Sequence, residues 1–308
     1  MEAVAGIVLY NPDMEMLKQN ICVLEKMVTK IILYDNTEYK AENNIQNQLN
    51  RDSIIYISQG KNLGIAYALN QIMEKAQELN SKWCFTFDQD SKIPENIYDE
   101  YSKYFNEDNV GILCSQVIDY RRKFMKLDQS NENIKEMKKC ITSASCTRVD
   151  VWKKVGKYDD ILFIDLVDND FSKRVFYAGY KIYRVNAVIL EQKFGDIEYK
   201  DTKIARFWLN LSKKLNNVNI AKLSYKKNVS PLRIYYTNRN LIYLNEKHKE
   251  HGGIGYESYN CKSYIEFFVF YNLFSILRGK EKIKIFKAIF NGRKDGKDLV
   301  LKLKKDKK

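Results

Sequence analysis

The sequence contains only three prolines among its 308 residues, and no Pro-rich, Gly/Ser-rich or repeated segment stands out. With no such segment to act as a disordered linker, we expect the whole chain to fold. Its six cysteines show no Cys-x-x-Cys spacing, and several lie in apolar runs where a thiol behaves as a small hydrophobe. We expect them to be reduced and structural.

The sequence also lacks an apolar run long enough to cross a bilayer, which requires about 20 residues. The most apolar stretch, residues 264–277, is aromatic but interrupted by polar residues. The first residues, Met1-Glu2-Ala3, show neither the basic region nor the small-residue cleavage site of a secretory signal. We therefore expect a cytosolic protein.

Positive charge is in excess and is unevenly placed. The formal net charge is +13, and residues 278–308 hold thirteen Lys or Arg against four Asp or Glu. Next to the aromatic stretch at 264–277, this composition favours attraction to anionic lipid headgroups. A solvated tail on a core helix and a nucleic-acid-binding surface are the alternatives.

The first half of the sequence alternates short apolar strands with helical patterns. We predict strands at 3–10, 30–34, 54–57 and 83–87, and before the last of them a helix whose apolar face carries Ile65, Leu69, Ile72, Ala76 and Leu79. This alternation predicts an α/β fold with a mostly parallel central sheet flanked by helices.

The downstream sequence is less regular. It predicts a strand at 110–114, a mobile polar loop over 128–139 and a helix over 148–155. From residue 201 the alternation gives way to helical, aromatic and basic sequence. We therefore predict a catalytic domain at 1–200 and a helical C-terminal region at 201–308 that serves membrane-surface association or homo-oligomerisation.

Polar residues follow each of the first four predicted strands. Because ligands of parallel sheets bind beyond the carboxyl ends of the strands, these residues predict one nucleotide-sugar site. They are Tyr10 at the end of the first strand with Asn11 after it, Asp35 and Asn36 after the second, Asn62 and Gly64 after the third, and Asp88, Gln89 and Asp90 after the fourth.

The fourth strand end carries the strongest chemical signal. In an extended chain the carboxylates of Asp88 and Asp90 point to one side, while Gln89 points away. Mg²⁺ and Mn²⁺ accept carboxylate oxygens and keep positions open for diphosphate oxygens. The pair therefore predicts a metal and diphosphate site, and two aspartates that merely start a loop are the alternative.

The earlier strand ends suit a nucleoside. Asp35 and Asn36 can hydrogen-bond a base and a ribose, or they can simply form a turn. Asn62 and Gly64 precede a helix whose free backbone N–H groups favour an anion or a ribose contact. Asn62 can alternatively cap that helix.

An acidic cluster lies at residues 163–174. Asp165, Asp168 and Asp170 repel one another, which raises some of their pKa values unless cations lie nearby. A general base for an acceptor hydroxyl would explain such crowding, and Asp168 is our candidate. Alternatively, Asp168 or Asp170 starts a helix and Arg174 pairs with Asp170 at i,i+4.

The order of these motifs resembles that of family 2 glycosyltransferases, especially bacterial rhamnosyltransferases. The resemblance covers about residues 3–200, with a weaker match at 235–240 and 288–296. It is carried by Tyr10-Asn11, Asp35-Asn36, Asn62-Leu63-Gly64-Ile65-Ala66, Phe87-Asp88-Gln89-Asp90, Ser143-Ala144-Ser145, Val155-Gly156-x-Tyr158 and Phe163-Ile164-Asp165-x-Val167-Asp168-x-Asp170-Phe171.

The resemblance implies a GT-A fold and inverting transfer from a nucleotide-diphosphate sugar, commonly dTDP-L-rhamnose, to a lipid-linked glycan at the inner face of the cytoplasmic membrane. A UDP-hexose donor is the alternative. It assigns Asp88 and Asp90 to metal and diphosphate, Asp35 to the base and Asp168 to general-base catalysis. Asp165 is the second catalytic candidate and, with Arg174, would shape the acceptor side.

Two positions depart from the family pattern. Val167 stands where a Glu often precedes the catalytic Asp, and Gln192 stands where a His usually helps to hold metal or diphosphate. The amide oxygen of Gln192 suits Mg²⁺ but is a poorer ligand than imidazole for softer ions. We include Gln192 as a third metal ligand and expect diphosphate binding more firmly than strict metal dependence.

Two other functions fit less well. A nucleotidyltransferase could use an Asp-x-Asp metal site, but no Gly-rich, Lys-containing phosphate loop follows the first strand. A non-enzymatic module that binds membranes or nucleic acid leaves the acidic cluster unexplained, because carboxylates oppose phosphate binding. We therefore expect an enzyme without a nucleic-acid partner.

Overall fold

The structure is a computed structural model that describes residues 2–38, 45–49, 51–122, 125–193, 195, 197–199, 201–227 and 229–306. The chain divides into two compact units, one comprising Met1–Tyr120 with Met125–Gln192 and the other Arg121–Phe124 with Lys193–Lys308. The predicted boundary at residue 200 lies close to this division. The roles predicted for the two regions stay predictions.

Within the described part of the first unit, eight strands form one sheet in the order β3-β2-β1-β4-β7-β5-β8-β6. The neighbouring pairs β3-β2, β2-β1, β1-β4 and β5-β8 are parallel, so the sheet is mostly parallel as predicted. The strands are β1 (Ala3–Leu9), β2 (Ile31–Asp35), β3 (Ile54–Ser58), β4 (Trp83–Asp88), β5 (Val110–Ile118), β6 (Ile134–Met137), β7 (Ser145–Arg148) and β8 (Lys181–Glu191).

Helices connect these strands. They are α1 (Met14–Leu24), α2 (Ile45–Gln48), α3 (Ile65–Glu78), α4 (Ile97–Ser102), α5 (Val149–Lys154) and α6 (Val167–Tyr177). The predicted apolar stripe of α3 is confirmed at Leu69, Ile72 and Ala76, which are buried. Ile65 and Leu79 are half-buried, and Leu79 lies just beyond the end of the helix. A Cβ atom on Gly6 would lie 2.2 Å from Ile72 Cγ2, so only glycine lets α3 approach β1 this closely.

The strand β7 runs against both of its neighbours, β4 and β5. A strand that runs antiparallel to β4 begins at the edge where β4 ends. The residues that enter β7 therefore lie beside the carboxyl ends of the parallel strands. This reversal adds residues 142–145 to the edge where the polar strand ends were predicted to meet.

The prediction of a mobile polar loop over 128–139 was wrong in part. Residues 134–137 form β6, which pairs antiparallel with β8 through Ile134–Val185 and Met137–Ile182. Residues before β6 are also fixed, because Asp128 accepts hydrogen bonds from Arg184 and Lys135 at 2.5 and 2.9 Å. These two cations hold the pKa of Asp128 well below its usual range.

The second unit contains two short strands, β9 (Ile197–Tyr199) and β10 (Tyr225–Lys227), which pair antiparallel. Its helices are α7 (Lys203–Lys214), α8 (Val218–Ala221), α9 (Pro231–Lys247), α10 (Tyr264–Phe267), α11 (Phe274–Arg278) and α12 (Lys282–Asp306), with one π-helical stretch, Phe268–Leu273, between α10 and α11. The prediction of a mainly helical C-terminal region is confirmed.

The two longest helices of this unit pack against each other. Gly292 and Gly296 of α12 face the backbone of Tyr235 and Arg239 in α9, where an added Cβ would lie 2.4 and 2.7 Å from their carbonyl oxygens. The Tyr235 hydroxyl donates to Asp295 at 2.6 Å. Among the residues described, no helix combines the length and apolar character needed to cross a membrane.

Candidate active site

The ends of β1 and β4 are joined by the side chain of Gln89. The Tyr10 backbone N–H donates to Gln89 Oε1 at 2.7 Å, and Gln89 Nε2 donates to the Tyr10 carbonyl at 2.9 Å. The Tyr10 side chain is itself about half exposed. Gln89 thus fixes the first strand end against the fourth. Whether Gln89 and Tyr10 also contact a nucleotide sugar stays a prediction.

At the end of β2, the buried carboxylate of Asp35 is held from both sides. Asp35 Oδ1 accepts from the Thr37 backbone N–H at 2.8 Å, and Oδ2 accepts from the Tyr56 hydroxyl at 2.7 Å. Burial and this hydrogen bond raise the pKa of Tyr56 above its ordinary value. Thr37 in turn accepts from the Asn11 N–H at 2.8 Å. Asp35 is therefore preoriented, and its remaining lone pairs could accept from a base.

Asn36 links the second strand end to the third. Its Nδ2 donates to the Gly64 carbonyl and its Oδ1 accepts from the Leu63 N–H, both at 3.1 Å. Asn62 Oδ1 accepts from the Gly64 N–H at 3.0 Å, just before α3 begins. The amide of Asn36 therefore shapes the 62–64 turn, and a contact with ribose stays a prediction.

Gly64 brings the acidic cluster to this turn. It has a φ of +90°, and an added Cβ would lie 2.6 Å from the Phe163 carbonyl oxygen and 2.8 Å from Phe163 Cα. The next residue, Ile65, donates its N–H to the same carbonyl at 2.7 Å. The loop that carries Asp165 is therefore anchored directly to the third strand end.

The fourth strand end meets the turn that precedes β7. The Asp88 backbone N–H donates to Ser143 Oγ at 3.1 Å, and Ser143 Oγ lies 2.9 Å from Ser91 Oγ. Asp88 Oδ2 accepts from Gln192 Nε2 at 2.7 Å. Asp88 is thus fixed by two distant segments, whereas Asp90 is exposed.

Among the predicted metal ligands, one buried side-chain oxygen accepts no hydrogen bond from the described residues. Gln192 is only 8% exposed, and its Oε1 has no hydrogen-bond partner among the described residues. No three His, Cys, Asp or Glu side chains come together as a metal site in the part of the chain that is described. Two carboxylates and an orphaned amide oxygen are oxygen ligands of the kind that Mg²⁺ and Mn²⁺ accept, so the residue types suit a hard cation. That Asp88, Asp90 and Gln192 hold one together stays a prediction.

Asp165 and Leu166 form a sharp turn that leads into α6. Both have left-handed backbone angles, with φ of +66° and +67°. Left-handed backbone costs a non-glycine residue on the order of 1–2 kcal/mol, so packing must hold this turn. Leu166 is buried and supplies that packing. The turn places Asp168 in the first turn of α6.

The surroundings of Asp168 alter the affinity of its carboxyl group for protons. Burial, with a smaller contribution from Asp165, raises its pKa from 3.8 to about 6. The Asn169 N–H, which donates to Asp168 Oδ1 at 2.9 Å, and the charge of Lys139 oppose this rise. Such a carboxyl group is ionised at neutral pH yet accepts a proton more readily than an ordinary aspartate.

A small cavity lies beside Asp168. Thr142, Tyr158, Phe171 and Ser172 are among the residues that line it. Thr142 directly precedes Ser143, which binds the backbone of Asp88. The candidate base therefore shares a cavity with the turn that fixes the predicted diphosphate site.

Arg174 is bonded within the protein. Its Nε and Nη2 donate to Asp170 Oδ2 at 3.0 and 2.6 Å, and its Nη1 donates to the Val155 carbonyl at 2.6 Å. The i,i+4 ion pair that the sequence offered as an alternative is therefore present. A role for Arg174 and Asp165 on the acceptor side stays a prediction.

Sequence reasoning gave no role to several residues that build the site. Ser143 fixes the backbone of Asp88, and Tyr56 orients Asp35. The Ser143-Ala144-Ser145 motif contributes to the family resemblance, but its residue types alone indicate no contact with Asp88. Tyr56 lies inside a strand pattern, where a tyrosine reads as a core residue.

Residues 7–157 match the family described as Glycosyl transferase family 2. A curated relative, the dTDP-rhamnosyl transferase RfbF of Shigella flexneri, is 27% identical over 258 residues that cover 79% of each chain. The solved structure of S. aureus TarS residues 1–349 has a TM-score of 0.51 at 11% identity and covers 99% of this chain and 92% of that one.

GalNAc-T7, solved with UDP, GalNAc and Mn²⁺, has a TM-score of 0.54 at 12% identity, and the match covers 89% of this chain. The chain spans only 57% of the length of GalNAc-T7. At these identities the two solved structures show the fold alone, while the sequence matches bear on the family. The chain is a glycosyltransferase with the GT-A fold that resembles family 2 over residues 7–157 and is rhamnosyltransferase-like in sequence.

Proposed function

We propose that this glycosyltransferase inverts the anomeric centre as it moves L-rhamnose from dTDP-L-rhamnose to a hydroxyl of a lipid-linked surface polysaccharide. The observation that carries this proposal is the position of Asp168. Its loop is anchored to the 62–64 turn through Phe163, and it shares a cavity with Thr142, next to the residue that fixes Asp88. A proton acceptor is thereby held beside the predicted donor site.

Asp168 would act as the general base. With a pKa of about 6 it is ionised at pH 7, so it can take the proton of the acceptor hydroxyl as that oxygen attacks the anomeric carbon. The bond from that carbon to the nucleoside diphosphate breaks in the same displacement, which inverts the configuration. Asp165 raises the pKa of Asp168 and is the second candidate for this role.

Asp88, Asp90 and Gln192 would hold Mg²⁺ or Mn²⁺. A bound divalent cation supplies positive charge to the departing diphosphate. The protein's own part is to orient these ligands, since Ser143 fixes the backbone of Asp88 and Gln192 Nε2 fixes its carboxylate. Tyr10, Asn11, Asp35, Asn36, Asn62, Gly64 and Gln89 would complete the nucleotide-sugar site.

The identity of the donor is supported by the similarity to a dTDP-rhamnosyl transferase. A UDP-hexose is the second candidate, because GalNAc-T7 of the same fold is solved with UDP. Both donors would place a diphosphate at the predicted site, and they differ in the base, in the 2′-hydroxyl of the pentose and in the transferred sugar.

The second unit supports the proposed acceptor and cellular location. Its aromatic and basic segment at 264–308 would hold the enzyme on the inner face of the cytoplasmic membrane, where a lipid-linked glycan is within reach. The exposed apolar residues Ile265, Ile283 and Phe290 within that segment support this placement. The acidic cluster argues against a nucleic-acid partner.

Thermal unfolding with added donors tests the proposal. We expect dTDP-rhamnose with Mg²⁺ to raise the Tm more than UDP-glucose, UDP-galactose or GDP-mannose, because a ligand stabilises the state that binds it. The Asp90→Ala variant should lose this response, whereas Asp99→Ala, an exposed carboxylate on α4, should keep it. No shift of the wild-type Tm with any of these donors would overturn the proposed function.

A further inference from the structure

Helix α7 in the second unit turns an apolar face outward. Ile204, Phe207 and Leu215 are 70, 57 and 56% exposed, and Trp208 and Leu211 are half-buried. At 100° per residue these five side chains fall within about 100° of one another around the helix. The helix and the residue that ends it thus present a continuous aromatic and aliphatic stripe to the surroundings.

The buried side of α7 lies beside this stripe, about 100° around the helix from its centre, and is narrow. Its buried residues are Ala205 and Ser212, both small. The ends are secured by hydrogen bonds, since Thr202 Oγ1 accepts from the Ala205 N–H at 3.2 Å and Ser212 Oγ donates to the Asn217 carbonyl at 2.9 Å. The helix is therefore held by its small residues and its ends, which leaves its large side chains outside.

The charges of α7 are all positive. It carries four exposed cations, Lys203, Arg206, Lys213 and Lys214, and no carboxylate. Arg206 pairs with Asp201, which precedes the helix, at 3.1 Å. Lys203 and Lys214 flank the stripe, and Arg206 and Lys213 lie on the far side of the helix. An apolar stripe combined with a cationic far side is typical of helices that lie in a membrane interface.

We propose that α7 docks this protein onto an anionic lipid surface, with its apolar stripe inserted among the acyl chains and its lysines at the headgroups. A second copy of the chain suits this face less well, because two such faces would bring eight cations together. The proposal rests on the membrane association proposed for residues 264–308 and adds α7 as a second contact with the lipid. It does not depend on the identity of the donor.

Vesicle sedimentation tests the surface. We expect the full-length protein to bind vesicles that contain phosphatidylglycerol, and Ile204→Ser/Phe207→Ser/Leu215→Ser to bind them about 100-fold more weakly. The control is Ile189→Ser/Leu232→Ser, which removes exposed apolar side chains elsewhere and should bind like the wild type. A donor-induced Tm shift that persists in the triple variant would separate this surface from the active site.

Tryptophan fluorescence tests the proposal without any variant. Of the three tryptophans, Trp83 and Trp152 are buried in the first unit and Trp208 alone is half-buried. Lipids brominated in the acyl chain should quench the emission of Trp208 in anionic vesicles. The proposal would be overturned if the triple variant bound vesicles like the wild type, or if the brominated lipids did not quench Trp208. It would also be overturned if the triple substitution turned a dimer into a monomer and left vesicle binding unchanged.

Discussion

At the scale of single residues, Asp168 lies where opposing influences act on one carboxyl group. Its place in the first turn of α6 favours the charged form through the helix dipole and the Asn169 N–H. Burial and Asp165 favour the neutral form and prevail, so its pKa rises to about 6. The protein thus keeps a charged group that costs stability at neutral pH, which is typical of a functional residue.

We expect Asp168→Asn to lower kcat at least about 100-fold, because an amide cannot accept the proton. Donor binding, measured by the Tm shift, should be retained, since the Asn side-chain oxygen can still accept from the Asn169 N–H. In the wild type, kcat/KM should rise with pH through about 6 as Asp168 ionises. Rates of sugar transfer measured from pH 5 to 8 check both expectations.

The stability of the same variant provides a control. The folded state holds the Asp168 proton more tightly than the unfolded state, so the stability attributable to Asp168 falls as pH rises from about 4 to 6. At pH 7.5 the variant should therefore be as stable as the wild type or more stable by about 1–2 kcal/mol. Wild-type kcat in Asp168→Asn would place the base elsewhere, with Asp165 next.

Residue types at strand ends were predictable from sequence, but their partners were not. Gln89 was predicted as a nucleotide-sugar ligand, yet its amide is bonded to the backbone of Tyr10, 79 positions away. Asn36 likewise bonds to the 63–64 backbone. A polar side chain at a strand end has the same pattern whether it binds a ligand or a neighbouring turn, so only coordinates separate the two.

At the scale of elements, the start of α3 depends on one glycine. Gly64→Ala would push a methyl group against the backbone of Phe163 and impose a left-handed angle on alanine. We expect a loss of about 2–4 kcal/mol of unfolding free energy and weaker donor binding, because the acidic loop must move. Urea unfolding and donor titration measure the two effects.

Gly179 offers a matched comparison. It has a φ of +83°, but an added Cβ would meet nothing within 4 Å. Gly179→Ala should therefore cost only the backbone strain, about 1 kcal/mol, and should leave donor binding unchanged. Equal effects of the two substitutions would show that the contact with Phe163 does not matter.

The elements with strong periodicity were predictable, and the short ones were not. The four parallel strands carry continuous apolar sequence and α3 carries a regular apolar face, and the structure confirms these elements. β6 has the sequence Ile-Lys-Glu-Met at the edge of the sheet, where little burial marks a strand. β7, Ser-Cys-Thr-Arg, is buried but has no apolar run, so neither its reversal nor its approach to Asp88 could be read from the sequence.

At the scale of the whole molecule, the net charge of +13 predicts a salt-dependent association with anionic vesicles. The Debye length falls from about 10 Å at 0.1 M salt to about 3 Å at 1 M, which screens exposed lysines. We expect association to weaken at least tenfold over this range, and vesicles of neutral lipid to show little dependence. Salt-independent binding to anionic vesicles would show that charge has no part in it.

The contacts between the strand ends also bear on how the protein folds. Tyr10 and Gln89 are 79 residues apart, and Asp88 and Gln192 are 104 apart. Such distant segments must close long loops before they meet, which makes their assembly slow and late. A growing chain therefore cannot fix the Asp88 carboxylate until Gln192 has left the ribosome, and the contact between them marks the completion of this unit.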